Sequence, residues 1–207
     1  MEPDPRPTPD VLSFRPISES DFERAVELDA QYLGSGREKL GEWRAARPEW
    51  LRGAYLADEL VGICYGTERA SGLLILQGIA VMAEHWRKGI GSRLIQDFED
   101  TVFSDGISRI SLASAGDLPT ESFYLKNGYT ANQIMLRVRR DVPVTGDGES
   151  MLTPDKTVDD EEGRRMYFRT DEYARGVRDK LKEVYDAEEA LFIFGKEAQD
   201  DVLRHFS

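Results

Sequence analysis

Residues 72–94, "GLLILQGIAVMAEHWRKGIGSRL", constrain the fold more than any other stretch of this chain. The first eleven are almost all apolar, as expected of a strand buried on both faces. Gly78 inside that run predicts a bulge or a close backbone approach. From Gly89 the apolar period becomes helical, with Ile90, Leu94, Ile95, Phe98 and Val102 on one stripe. The turn between strand and helix sets Arg87 and Lys88 against Gly89-Ile90-Gly91. A helix start carries unpaired N–H groups and a positive dipole end, so it favours an anion. Glycines keep side chains out of the way, and the two cations add charge. The turn therefore reads as an anion cradle.

Around it, strands and helices alternate. "VLSFRPI" (11–17) is a first strand. Ser20 to Glu23 resembles a capping box, and Phe22, Val26, Ala30 and Leu33 follow it at helical spacing. Gly34-Ser35-Gly36 breaks that helix, and a second runs toward Pro48. "RGAYLADELVGICYGTE" reads as two strands about an Asp58-Glu59 turn. Beyond Gly106 come the strand "SRISLASA", a helix opened by Asp117 and Pro119 and closed by Gly128, and the strand "NQIMLRVRR". This order predicts a mixed α/β sheet with helices on its faces. The expected organisation is a flexible leader over 1–10, a main domain over 11–141, an acidic linker over 142–163 and a small α/β extension over 164–207. In the extension, "RRMYFRT" and "EALFIFGK" read as strands. Tyr173, Val177, Leu181 and Val184 mark a helix between them, and Val202, Leu203 and Phe206 a short final one. The extension has too little core to stand alone and is expected to pack on the main domain or on a second subunit of a homodimer.

Composition excludes several classes. Asp and Glu outnumber Lys and Arg 39 to 27, giving a net charge of −12, so the chain lacks the basic footprint of a general nucleic-acid binder. The acids are spread evenly and read as a solvated surface, with attraction of a cationic amine as the sharper alternative. No apolar run reaches membrane-spanning length, and "MEPDPRPTPD" lacks the pattern of a secretory signal, so a cytoplasmic protein is expected. The single Cys64, within "LVGICYG", reads as a packed strand residue. Two distant histidines and one cysteine make no zinc shell. No Gly-Lys-Ser/Thr follows the turn, no Gly-x-Gly-x-x-Gly occurs there, and no Gly-x-Ser-x-Gly elbow exists.

"IAVMAEHWRKGIGSRLI", followed about thirty residues later by "FYLKNGY", resembles the paired motifs of the GNAT family of N-acetyltransferases. The resemblance covers roughly residues 11–141. It implies a mixed, mostly antiparallel sheet whose two central strands splay apart around the thioester arm of acetyl-coenzyme A. The anion of the cradle is then the coenzyme's pyrophosphate, held by backbone amides of Arg87, Lys88, Gly89, Ile90, Gly91 and Ser92. The pantetheine arm pairs with backbone around Ile79, Ala80 and Val81, and the Val81 N–H is implied to polarise the thioester carbonyl. Tyr124 is implied to return a proton to the coenzyme's sulfur, a step that suits a phenol protonated at neutral pH. The chain departs from the family at Trp86, usually Arg or Gln, and at Leu118, often Asn.

The reaction implied is direct transfer of an acetyl group to a primary amine of a small molecule or a protein N-terminus. No base is assigned. Gln77 and Leu112 stand where relatives often carry glutamate. Glu84, Asp117 and Glu121 read as solvated or capping acids, His85 as a surface histidine, and His205 lies in the tail without a partner. By resemblance the acceptor meets "QYLGSGREKLGEWRAARPEW". There, Tyr32, Trp43 and Trp50 offer cation–π walls, and Arg37, Arg44 and Arg47 offer carboxylate binding. An ordinary exposed amphipathic helix accounts for the same residues. The family ends in a hairpin, and Met166 to Thr170 is expected to supply the missing last strand. The unusual Trp86, Leu118 and absent base also leave open a non-catalytic acyl-coenzyme A-binding regulatory module.

Overall fold

The computed structural model describes residues 11–142 and 153–199. The expected leader, the final short helix with His205, and part of the linker lie outside them. The chain divides into two compact units, Met1–Arg109 with Ala198–Ser207, and Ile110–Glu197. Nine strands and five α-helices fall within the described residues, and the strand pairing is mostly antiparallel, as the mixed α/β reading expects. No helix among them is long and apolar enough to cross a membrane.

In the first unit β1 (Leu12–Pro16), β2 (Leu51–Leu56), β3 (Glu59–Ala70) and β4 (Leu73–Val81) form an antiparallel series in chain order. Between β1 and β2 run α1 (Phe22–Tyr32) and α2 (Arg37–Ala46). Leu28 of α1 and Leu40 of α2 join Ile63, Tyr65 and Leu51 in one buried cluster. The opposite face of β3 receives α3 (Ile90–Ser104), whose Phe98 ring comes within 3.0 Å of where a Cβ on Gly66 would stand. All five residues of the expected α3 stripe are buried. Helices thus cover both faces of β3.

Three local expectations change. The Ser20–Glu23 capping box is not formed: Asp21 takes the N-cap position, Ser20 Oγ lies beside Ser18 Oγ, and Glu23 accepts from Arg37. Helix α1 buries Ala25, Leu28 and Asp29, with Ala30 outside, because Asp29 has polar partners that make a carboxylate tolerable indoors. Strand β4 alternates instead of being buried on both faces. Leu74, Leu76, Gly78 and Ala80 point inward, and Gln77 is exposed, the alternation usual for antiparallel sheets.

The second unit holds β5 (Arg109–Ala113), α4 (Leu118–Lys126), β6 (Thr130–Val138), β7 (Lys156–Asp160), β8 (Gly163–Arg169), α5 (Arg175–Val184) and β9 (Glu189–Glu197). Strand β6 pairs with β8 on one side and β9 on the other. Met166 to Arg169 therefore lie in a strand beside β6. The segment expected as an acidic linker carries β7, since Asp159 faces Arg164 across the β7–β8 hairpin and Asp160 pairs diagonally with Arg165. Those carboxylates are one side of a set of cross-strand ion pairs. Helix α5 buries Arg178 and Leu181 and leaves Val177 and Val184 exposed, against the apolar stripe expected for it.

The Tyr55 hydroxyl donates to Asp21 at 3.0 Å, and burial first, then that carboxylate, push its phenol up to about 12. An unfolded phenol ionises near pH ~10, so the folded chain holds this proton longer. The contribution is whole below that pH and is lost as pH rises through the folded value. We expect Tyr55→Phe to flatten the alkaline fall in melting temperature between about pH 10 and pH 12. An unaltered slope would refute it.

Candidate active site

Strand β4 leaves through a 3-10 turn at Ala83–His85, and the chain then reverses into α3. Arg87 takes φ 60° and Gly89 φ 79°, the left-handed region that a side chain resists. Gly89 is the N-cap residue, and no side chain caps the helix. Its first turn-closing bond runs from Arg93 N–H to Gly89 C=O at 3.2 Å, so the amides of Gly89, Ile90, Gly91 and Ser92 precede the helical bonding. A Cβ built on Gly89 would meet nothing within 4 Å. The Ile90 side chain is buried and anchors the turn, while Arg87, Lys88 and Gly89 are exposed. One turn thus gathers residues 87–92 into a cradle with open space before it. The Lys88 ammonium lies 3.4 Å from Nδ1 of the half-buried His85.

The preceding strand is irregular where Gly78 suggested. The register slips between Tyr65 and Gly66, so Gln77 stands opposite no residue of β3 in the backbone ladder. A Cβ on Gly78 would stand 2.8 Å from Leu33 and 2.9 Å from the Tyr65 hydroxyl, so both a bulge and a close approach occur. Met82 N–H bonds Val61 C=O, and Ala80 pairs with Ile63. By the alternation of an antiparallel ladder, Ala80 then turns its backbone groups toward β3. Ile79 and Val81 turn theirs to the opposite edge. Trp86 uses that edge: its indole N–H donates to Val81 C=O at 2.5 Å. Trp86 is 57% exposed, and its ring lies 6.5 Å from that of Tyr32, whose hydroxyl accepts Ala83 N–H.

In the second unit, Asp117 caps α4 by accepting Thr120 N–H at 2.9 Å, as expected of it. The helix buries two residues, Glu121 and Tyr124. The Tyr124 ring sits among Phe123, Tyr129 and Phe194, with centroids 5.3, 5.6 and 5.9 Å away. Glu121 is a correction to the sequence reading. It is 0% exposed and accepts from Tyr173 Oη at 2.5 Å, Arg178 at 2.7 Å and Arg175 at 3.0 Å. No local pattern marks those partners, which lie more than fifty residues along the chain. Leu118, at the start of α4, is 54% exposed.

The expected acceptor segment divides. Trp43 lies against Tyr65, centroid to centroid 5.4 Å. Trp50 is a correction: it is 2% exposed, and its indole donates to Asp105, so it forms core and no binding wall. Arg37 pairs with Glu23, Arg44 with Glu19, and Arg47 stacks over Trp50. The sequence did not reveal the polar cluster beneath. Buried Asp29 accepts from the Tyr65 hydroxyl and from Gly36 N–H, and Ser35 Oγ lies 2.9 Å from the same hydroxyl. Burial, and then Asp29, raise the Tyr65 phenol far above its ordinary value, so it stays protonated. Gln77 donates to Thr67, Leu112 is buried, and burial pushes the Cys64 thiol well up, which agrees with a packing role. Among the described residues no group of three or more metal-ligating side chains is assembled.

Residues 13–129 match the model of the Acetyltransferase (GNAT) family. Among solved structures, Ard1 from Thermoplasma volcanium aligns over 91% of this chain and 99% of its own, with 13% identity and a TM-score of 0.60. Arabidopsis thaliana Naa50 in complex with the bisubstrate analogue CoA-Ac-MVNAL aligns over 90% and 99%, with 15% identity and a TM-score of 0.56. The yncA protein of Salmonella typhimurium, solved with its cofactor acetyl-CoA, aligns over 91% and 95%, with 10% identity and a TM-score of 0.57. No curated protein sequence matches the chain.

The left-handed cap gives a direct test. A methyl group on Gly89 clashes with nothing, so Gly89→Ala isolates the backbone cost, about 1–2 kcal/mol. Urea denaturation is expected to show that loss, and unchanged stability would contradict the left-handed turn.

Proposed function

The chain belongs to the GNAT family of acetyltransferases, and from that premise we propose that it moves the acetyl group of acetyl-CoA directly to a primary amine. The observation that carries the reading is the start of α3, a left-handed Gly89 ahead of amides that no side chain caps. Such a cradle suits a pyrophosphate, and Arg87 and Lys88 add positive charge at its rim. Acetyl-CoA brings an activated acyl thioester, the chemistry the chain's own residues then direct.

In this reading the amides of Gly89 to Ser92 hold the diphosphate. Ile79 and Val81 offer strand-like pairing on the edge of β4 away from β3, and Ala80 serves by packing. The Val81 N–H polarises the carbonyl. The amine nitrogen forms a bond to the carbonyl carbon, the carbon–sulfur bond breaks, and Tyr124 gives its proton to the leaving sulfur. The phenolate recovers a proton released from the amine by way of solvent. Gln77 and Leu112, at positions where a carboxylate would serve as base, favour an amine that arrives neutral. They also keep a second reading, a non-catalytic acyl-coenzyme A-binding module.

The acceptor is a small-molecule amine or a protein N-terminus. The peptide portion of the Naa50 analogue makes a free peptide α-amine a natural first probe. Calorimetry with acetyl-CoA is expected to give saturable heat, and its absence with folded protein would end the assignment. Thiol release from acetyl-CoA is then followed with the peptide MVNAL, spermidine and free amino acids. Tyr124→Phe is expected to lower kcat by about 100-fold with coenzyme binding retained, the usual scale for losing a general acid. Coenzyme heat with no turnover on any amine would select the second reading.

A further inference from the structure

We infer that Tyr173 and Arg178, in the segment beyond residue 129 where the family match ends, are positioning residues for Tyr124. The inference rests on the reading of Tyr124 as the proton donor. Helix α4 has nine residues and buries only Glu121 and Tyr124, so no apolar stripe sets its rotation. What holds it is a carboxylate one turn before the phenol. Glu121 is 0% exposed, and an unpaired charge at such a place is strongly unfavourable. Tyr173, Arg175 and Arg178 supply the compensation.

The same segment also forms the wall against the phenol. Tyr173 lies 4.9 Å from Phe192 and 6.3 Å from Phe194, centroid to centroid, and Phe194 lies 5.9 Å from Tyr124. The Arg178 guanidinium stands 5.4 Å above Phe192, and Asp179 accepts from its Nε and Nη2. One continuous set of contacts therefore joins the tail to both buried residues of α4. A side chain and its neighbour one turn away move as a unit, so loosening Glu121 turns Tyr124 as well. Misplacing a reacting group by about 1 Å costs up to about 100-fold in rate without weakening distant binding contacts.

Tyr173→Phe removes one hydroxyl and keeps the ring. It is expected to lower kcat by about tenfold and the melting temperature by less than Arg178→Met does, with KM for acetyl-CoA within about twofold of the parent. The assay is thiol release with MVNAL or the fastest amine of the panel. Arg178→Met is expected to lower kcat further and to speed amide exchange in residues 118–128, while Arg178→Lys, which keeps a cationic donor, recovers most of the rate. If Tyr124→Phe is slow while both Tyr173→Phe and Arg178→Met turn over like the parent, the positioning role is overturned. Equal loss in kcat and in stability across the three tail variants, without recovery by lysine, would reduce the network to a structural one. If Tyr124→Phe itself turns over normally, the proton-donor assignment falls instead.

Discussion

A peptide N–H or C=O needs a partner, and the candidate cradle is built where the start of α3 leaves several amides ahead of the helical bonding. Strand β4 meets β3 on one edge, with Ile79 and Val81 turned to the other, and α3 begins with amides that no side chain caps. That arrangement holds only because α3 is fixed elsewhere. Ile90, Leu94, Ile95, Phe98 and Val102 are buried, and Gly66 lets the helix approach β3 closely. The Arg52 guanidinium of β2 adds a paired contact to Asp97 of α3, at 2.7 and 3.0 Å. Apolar packing and one ion pair thus anchor a helix whose first turn no side chain caps.

Buried carboxylates do the same organising work in two other places. Asp29 collects the Tyr65 hydroxyl and the Gly36 amide, tying the α1–α2 loop to β3. Glu121 collects Tyr173, Arg175 and Arg178, tying α4 to the segment around α5. A buried ion pair such as Glu121–Arg178 adds little net stability over an apolar core, yet removing its charged partner is costly, typically about 3–5 kcal/mol. The effect of both networks is specificity of geometry. Each network lies beside an element that the proposed reaction uses.

The acidic balance of the chain has a plain structural side. Many of its arginines meet carboxylates: Arg24 with Glu27, Arg37 with Glu23, Arg137 with Glu162 and Glu189, and Arg164 with Asp159. Exposed pairs of this kind contribute little each, about 0–1 kcal/mol. Their use is in matching strands and loops, as in the β7–β8 hairpin. Charge that looks like surface decoration in the sequence is partly pairing information.

The sequence by itself determined what a few neighbouring residues settle among themselves. The strand–turn–helix of residues 72–104, the glycine cap at 89, the bulge beside Gly78, the Asp117 cap and the burial of Cys64 each follow from local sterics, periodicity or hydrogen bonding. The tertiary structure alone decided which charges are buried and which stripes face inward. Glu121 reads as a surface acid until Arg178 arrives from fifty-seven residues away, and α5 turns Val177 outward because Arg178 is drawn in. Asp29 is tolerable inside only beside Tyr65, Trp50 is core only beside Asp105, and the 156–160 run becomes a strand only opposite β8. A local propensity is written in the residues that carry it. The free energy of a buried charge or an edge strand depends on a partner that only the folded chain supplies.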